Sequence, residues 1–526
     1  AVWFSSSFLE LTPSVEGTDL IIDEAMTNIT FQYNAIAASG SGGSSGSGSN
    51  SGTYNGNGTA WMVKDLHSGN QGSQIRDLTV MGNTLYFVGD DNGQNGVELF
   101  KTDGTASGTV VVKNIRPGGN SGNPQHLTRI GNTLYFSAND GTDGIELWKS
   151  DGTESGTVMV KDIASGSASS TPSDLIAVGN TLFSRADDGT NGQELWKSDG
   201  TESGTVMVQN IAATGHSKPQ DFTVVGNTLF FEAETSNGWE LWKSDGTATG
   251  TVMVKDINSG SSDSNPTHLT AVGNTLYFRA DDGTHGNELW KSDGTESGTV
   301  MVKDIRTGNM PGSPNSLTAI GNTLYFSAFT ATYGTELWKS DGTESGTEIV
   351  KDIHSGNTGS NLAWFGAVGN TLFFQADDGS SGYELWKSDG TESGTVLVKD
   401  INPTSNNYGN SNPQQLTDIC GTLYFSATDG TNGTELWKSD GTTSGTTMVQ
   451  DIQSAAAGSS PSKILNTTVD NHIFFLATDG TYGQELWTLN PSLITCGSGS
   501  GSGSGGGMTN VTGATCTVSP ALPTGL

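Results

Sequence analysis

Three things are scarce in this 526-residue chain, and each scarcity excludes something. Cysteine occurs only at Cys420, Cys496 and Cys516, so disulfides do not hold the bulk of the chain together. Basic residues number 23 against 55 acidic ones, a formal net charge of −32. Nucleic acids and anionic membranes both require a basic footprint, so neither is an expected partner. No run of 18 apolar residues occurs, which leaves no candidate for a membrane-spanning helix and no expectation of membrane insertion.

Catalytic signatures are missing as well. The histidines are scattered, with no His-Glu-x-x-His, no Gly-x-Ser-x-Gly elbow and no phosphate loop. The expectation is therefore of a protein that is not an enzyme, with no catalytic residues and no firm metal or cofactor site. Individual repeats do depart from the common pattern, at Arg185 and Arg279, at Glu232, Glu234 and Trp239, and at Phe329 and Tyr333. None forms a recognisable acid and base pair, so drift within a repeat array accounts for them.

What is abundant is glycine (74 residues) and one recurring line, Glu-Leu-Trp-Lys-Ser-Asp-Gly-Thr. Its Glu falls at Glu98, Glu146, Glu194, Glu240, Glu288, Glu336, Glu384, Glu435 and Glu485, at spacings of 46 to 51 residues. A fixed period of this size marks stacked supersecondary units. One unit reads as four short strands. Leu175–Val178 and Thr181–Phe183 flank Gly179-Asn180, a hairpin signal. The polar loop Asp187–Gly192 leads to Glu194–Lys197, and the turn Asp199–Gly204 leads to Val206–Val208. Four antiparallel strands per repeat describe a β-propeller blade.

Nine copies supply the first three strands, but only eight outer strands follow them. The ninth stands in front, at Trp61-Met62-Val63-Lys64-Asp65, and would close the ring as the outer strand of the last blade. The expected fold is thus an all-β, nine-bladed β-propeller of four-stranded antiparallel blades spanning residues 60–490, its ring closed by an N-terminal strand. The repeated tryptophans, such as Trp196 and Trp290, should face the neighbouring blade as core.

The line resembles the ELWxxDGT repeat family over about residues 58–490. That resemblance implies a propeller and an extracellular or cell-surface setting, with no functional residues to carry over. The chain begins at Ala1 without a signal peptide, as after removal of a leader or as a fragment would.

Outside the repeats lie a strand-like arm (1–38), a Gly/Ser linker (39–59), a second Gly/Ser linker (491–507) and a strand-like tail (508–526). Ile29, Phe31, Tyr33 and Ala35 alternate with polar residues and would form an assembly strand. Such a strand added to another copy gives a head-to-tail, non-closing contact. The leading expectation is therefore a structural protein that polymerises with itself into a filament or surface layer. The alternative is a secreted adhesin or carbohydrate-binding module using the loop-rich propeller face, with glycans as partners; a secreted hydrolase is third. Candidate glycosylation sites are Asn28, Asn57, Asn432, Asn466 and Asn510. Cys496 and Cys516 form a candidate bridge, leaving Cys420 a lone thiol. The pairs Asp187/Asp188, Asp281/Asp282 and Asp377/Asp378 are weak calcium candidates, since Ca²⁺ wants six to eight oxygens and turn chemistry explains these loops without it.

Overall fold

The structure is a computed structural model that describes residues 2–4, 7–9, 59–403, 409–454, 456–466, 468–469 and 472–490. The chain divides into two compact units, Ala1–Asn50 and Ser51–Leu526. In the first, Val2–Phe4 pairs antiparallel with Ser7–Leu9. The second is a nine-bladed β-propeller, its blades nine four-stranded antiparallel sheets.

Blade five shows the plan: an inner strand Thr267–Val272, a second strand Thr275–Asp281, a third Asn287–Ser292 and an outer strand Val300–Lys303, hydrogen-bonded in that order. The inner pair turns through Gly273-Asn274. Gly273 is left-handed (φ +59°), and left-handed glycine at the first turn position marks a type II′ hairpin. In blade eight Cys420 takes that place at φ 54° and Gly421 follows at φ 82°, the two-residue left-handed pattern of a type I′ turn. Cys420 is also disulfide-bonded, which corrects the expectation of a lone thiol. Cys496 and Cys516 lie outside the described residues.

The ring closes through the front strand. Ala60–Lys64 pairs with Gln484–Leu489, with Ala60 opposite Leu489 and Met62 opposite Trp487. This removes the edges that an open array would expose. Blade nine is the least regular: its inner strand is only Thr468–Val469, extended by an isolated bridge from Ser462 to Leu476.

Adjacent blades share one core. Phe230, Leu241, Val254 and Ile257 of blade four pack on Leu276, Phe278, Ala280 and Trp290 of blade five. Each of the valine, leucine, isoleucine and phenylalanine side chains contributes about 1.5–3 kcal/mol on burial. The tryptophans are core as expected, Trp290 keeping 6% of its surface.

Polar ties cross the same seams. Lys243 donates through Nζ to the Gly294 carbonyl of the next blade (2.7 Å), and Lys255 to the Thr299 carbonyl (2.8 Å). At the closure Lys64 does the same to Thr109 (2.8 Å). Gly294 must lack a side chain, because a Cβ there would stand 3.2 Å from the Phe230 ring and its φ is +87°.

The Glu of the repeated line is a buried loop anchor. Glu288 accepts hydrogen bonds from the backbone nitrogens of Ile305 (3.0 Å) and Gly312 (2.6 Å). Both belong to the connection that carries the chain to the next inner strand. Glu336 holds Ile353 N and Ser360 Oγ in the same way. Burial raises both carboxyls to about 7, against the hydrogen bonds that lower them.

Candidate ligand site in the central channel

The inner strands begin earlier than the hydrophobic pattern suggests, and each described one in blades one to eight starts with an irregularity. In blade three the strand runs Ser173–Val178, two residues before the expected start. Ser173 pairs with Arg185 and Ile176 with Phe183, so three steps on the inner strand match two on its partner. This is a β-bulge, one extra residue that bends the strand and re-aims a side chain.

The re-aimed residue is left-handed in all nine blades: Asp77, His126, Asp174, Asp221, His268, Ser316, Trp364, Gln415 and Lys463, with φ from 52° to 60°. Left-handed backbone costs a non-glycine residue about 1–2 kcal/mol. Asp and His are enriched there, whereas a bulky Trp is an outlier. The blades are near copies on either side of this position. Leu-Thr follows at Leu78-Thr79, Leu127-Thr128, Leu269-Thr270, Leu317-Thr318 and Leu416-Thr417, while the bulge residue changes size and charge freely.

Seven of the nine line two cavities against the inner strands. Asp77, His126, Asp174, Gln415 and Lys463, from blades one, two, three, eight and nine, face a cavity of about 510 Å³. Asp221 and His268, from blades four and five, face another of about 430 Å³, which Arg279 also lines. The bulge lies where the inter-blade loop enters the inner strand, hence at the loop-rich mouth of the channel.

Neighbouring bulge residues are linked from blade to blade. The Asp77 carboxylate accepts from the backbone nitrogen of His126 (3.0 Å), and the Asp221 carboxylate from that of His268. Burial, reinforced by the nearby Arg279 charge, holds the His268 imidazole below its usual value, so it is neutral near pH 7. Trp364 keeps 42% of its surface, unlike the repeated tryptophans.

Substitutions that sequence reasoning assigned to drift stand beside this ring. Arg185 forms an ion pair with Asp174 (3.1 Å). Glu232 is buried, accepts from the Gln220 side-chain amide and is raised by that burial to about 7. Lys218 pairs with Glu234 at 2.8 Å. The bulge residues themselves were missed; the available signal was a variable position in front of a repeated Leu-Thr.

The acidic loops are built as turns. Asp187 Oδ1 accepts from Gly189 N and Asp188 Oδ1 from Asn191 N, both at 2.7 Å. Asp281 and Asp377 cap Gly283 N and Gly379 N, while Asp282 meets His285 Nδ1 and Asp378 meets Ser381 N, both at 2.8 Å. Among the described residues no group of three or more His, Cys, Asp or Glu could hold a metal ion. Asn432 is half-buried and donates through Nδ2 to Asp429 (2.8 Å), while Asn466 is exposed. Asn28, Asn57, Asn510 and the strand Ile29, Phe31, Tyr33 and Ala35 lie outside the described residues. No observation on the described chain supports a filament.

No family model matches the chain, and no curated protein does. Solved structures do. A puromycin hydrolase is 15% identical, with a TM-score of 0.35, over 68% of this chain and 58% of that one. Oligopeptidase B from Leishmania major is 12% identical, with a TM-score of 0.39, over 68% and 53%. A structure from a study of two prolyl endopeptidases is 14% identical, with a TM-score of 0.36, over 63% and 48%. The chain thus spans about half the length of these structures. The matched chains are named as hydrolases and peptidases, which corrects the expectation that the protein is not an enzyme: that expectation is withdrawn, and no activity takes its place. At these identities and TM-scores the likeness assigns this chain no activity.

Proposed function

We propose that the propeller is a carbohydrate-binding module that takes a saccharide at the loop-rich mouth of its channel. The observation that carries this reading is Trp364, a bulky residue held left-handed and 42% exposed within a ring of polar side chains. A pyranose has an apolar face that stacks on an indole and a rim of hydroxyls that needs both donors and acceptors. Asp77, His126, Ser316 and Gln415 supply those from equivalent positions on other blades. Binding sites combine an aromatic wall with a few placed polar groups in this way. All nine tryptophan or phenylalanine positions of the repeated line pack into the blade seams, so exposed Trp364, which stands outside that line, needs a separate reason.

A glycan array probed with the full chain and with Trp364→Ala tests the proposal. The wild type should retain a defined set of glycans, and the variant should lose signal by a factor of about ten or more, as for an aromatic anchor. Equal binding by the two, or no glycan bound at all, would refute it.

A further inference from the structure

Blade five contains an arginine whose blade-three counterpart has a carboxylate partner that blade five does not supply at the same position. In blade three Ser173 and Arg185 stand opposite each other; Arg185 Nε donates to Ser173 Oγ (3.1 Å) and its guanidinium pairs with Asp174 (3.1 Å). The same register in blade five sets Thr267 opposite Arg279. The residue equivalent to Asp174 is His268, which carries no negative charge. Arg279 Nε and Thr267 Oγ1 are buried without a hydrogen-bond partner among the described residues. The Asp221 carboxylate of the neighbouring blade stands near enough to act on the Arg279 charge, but no hydrogen bond joins its side chain to Arg279 Nε. Both residues line the cavity of about 430 Å³, together with Asp221 and His268.

A buried guanidinium nitrogen left unmade costs free energy that a partner recovers. The void is of ligand-binding size. A carboxylate fits the guanidinium fork in a bidentate way that a hydroxyl does not.

Resting on the channel reading above, we infer that the saccharide is acidic and that Arg279 receives its carboxylate. Thr267 Oγ1 donates to the same group. The neutral His268 and the Asp221 carboxylate take neighbouring hydroxyls. Glu232, buried behind Asp221, sets the charge limit: one carboxylate is matched by Arg279, and a second would meet acidic wall.

Calorimetric titration of the full chain with galacturonate, which carries a single carboxylate, and with neutral galactose tests this. The acidic sugar should bind at least tenfold more tightly. Arg279→Met should remove that preference. His268→Asp rebuilds the blade-three ion pair inside the protein, so it should also lower affinity for the acidic sugar at least tenfold, without lowering the melting temperature. That variant keeps the test valid should Arg279→Met fold poorly. If both sugars bind equally, or if the preference survives both substitutions, the inference falls and the channel reading stands. If neither sugar binds and the array is blank, both fall.

Discussion

At the residue scale, the repeated line separates into structural tasks. Its Glu ties the inter-blade loop, its Trp fills the seam and its Lys holds the next blade's turn. Replacing Glu336 with Ala removes the acceptor for Ile353 N, His354 N and Ser360 Oγ together. The expected loss is about 2–4 kcal/mol in urea unfolding, because buried donors are left unmade. The same carboxylates set a pH dependence. Burial raises Glu98, Glu288, Glu336 and Glu384 from 4.5 to about 7, and Glu485 to about 8. The folded ring then binds protons that the unfolded chain has released, so this contribution is full below 4.5 and is lost as pH rises through 7 to 8. Turn aspartates such as Asp151 and Asp293 work in the opposite sense. Hydrogen bonds from Thr153 and Thr295 pull them below 3.8, and their contribution disappears only in stronger acid. Scanning calorimetry should give a melting temperature about 5 °C or more higher near pH 5.5 than near pH 8.5. A flat or reversed profile would contradict the buried, proton-binding glutamates.

At the element scale, strands and tight turns were legible because their signals are local. Alternating apolar residues around Gly-Asn define a hairpin wherever they occur, as at Ala177-Val178-Gly179-Asn180. The bulge was not legible, because its left-handed residue is His, Trp, Gln or Lys as often as Asp, and none of these announces positive φ as glycine does. The meaning of Arg279 was hidden for a related reason. Its meaning depends on what stands at position 268, eleven residues away in sequence and beside it in space. The closing strand is the element whose removal should matter most. A chain lacking residues 1–50 keeps Ala60–Lys64 and should melt like the full propeller. One lacking residues 1–66 loses Val63 and Leu66 from the blade-nine seam, about 3–5 kcal/mol of buried surface, and exposes the edge of Gln484–Leu489. Light scattering after gel filtration should show the second chain associating and the first not doing so.

At the scale of the whole molecule, ninefold repetition builds a scaffold, and the proposed function places the chemistry in the exceptions to it. Near-identical blades give closely similar seams, and the channel mouth is one place where side chains change size and charge from blade to blade. The acidic balance of the chain, −32 overall, makes Arg279, whose Nε has no hydrogen-bond partner among the described residues, and the exposed Lys463 unusual at the channel. Hydrogen–deuterium exchange on the full chain, with and without a glycan retained on the array, tests the location of function most directly. Protection should concentrate at the starts of the inner strands, over residues 76–79, 125–128, 267–270 and 363–366. Protection on the Asp-Gly-Thr turns at the opposite rim, or along the outer strands, would place the ligand elsewhere and contradict the account.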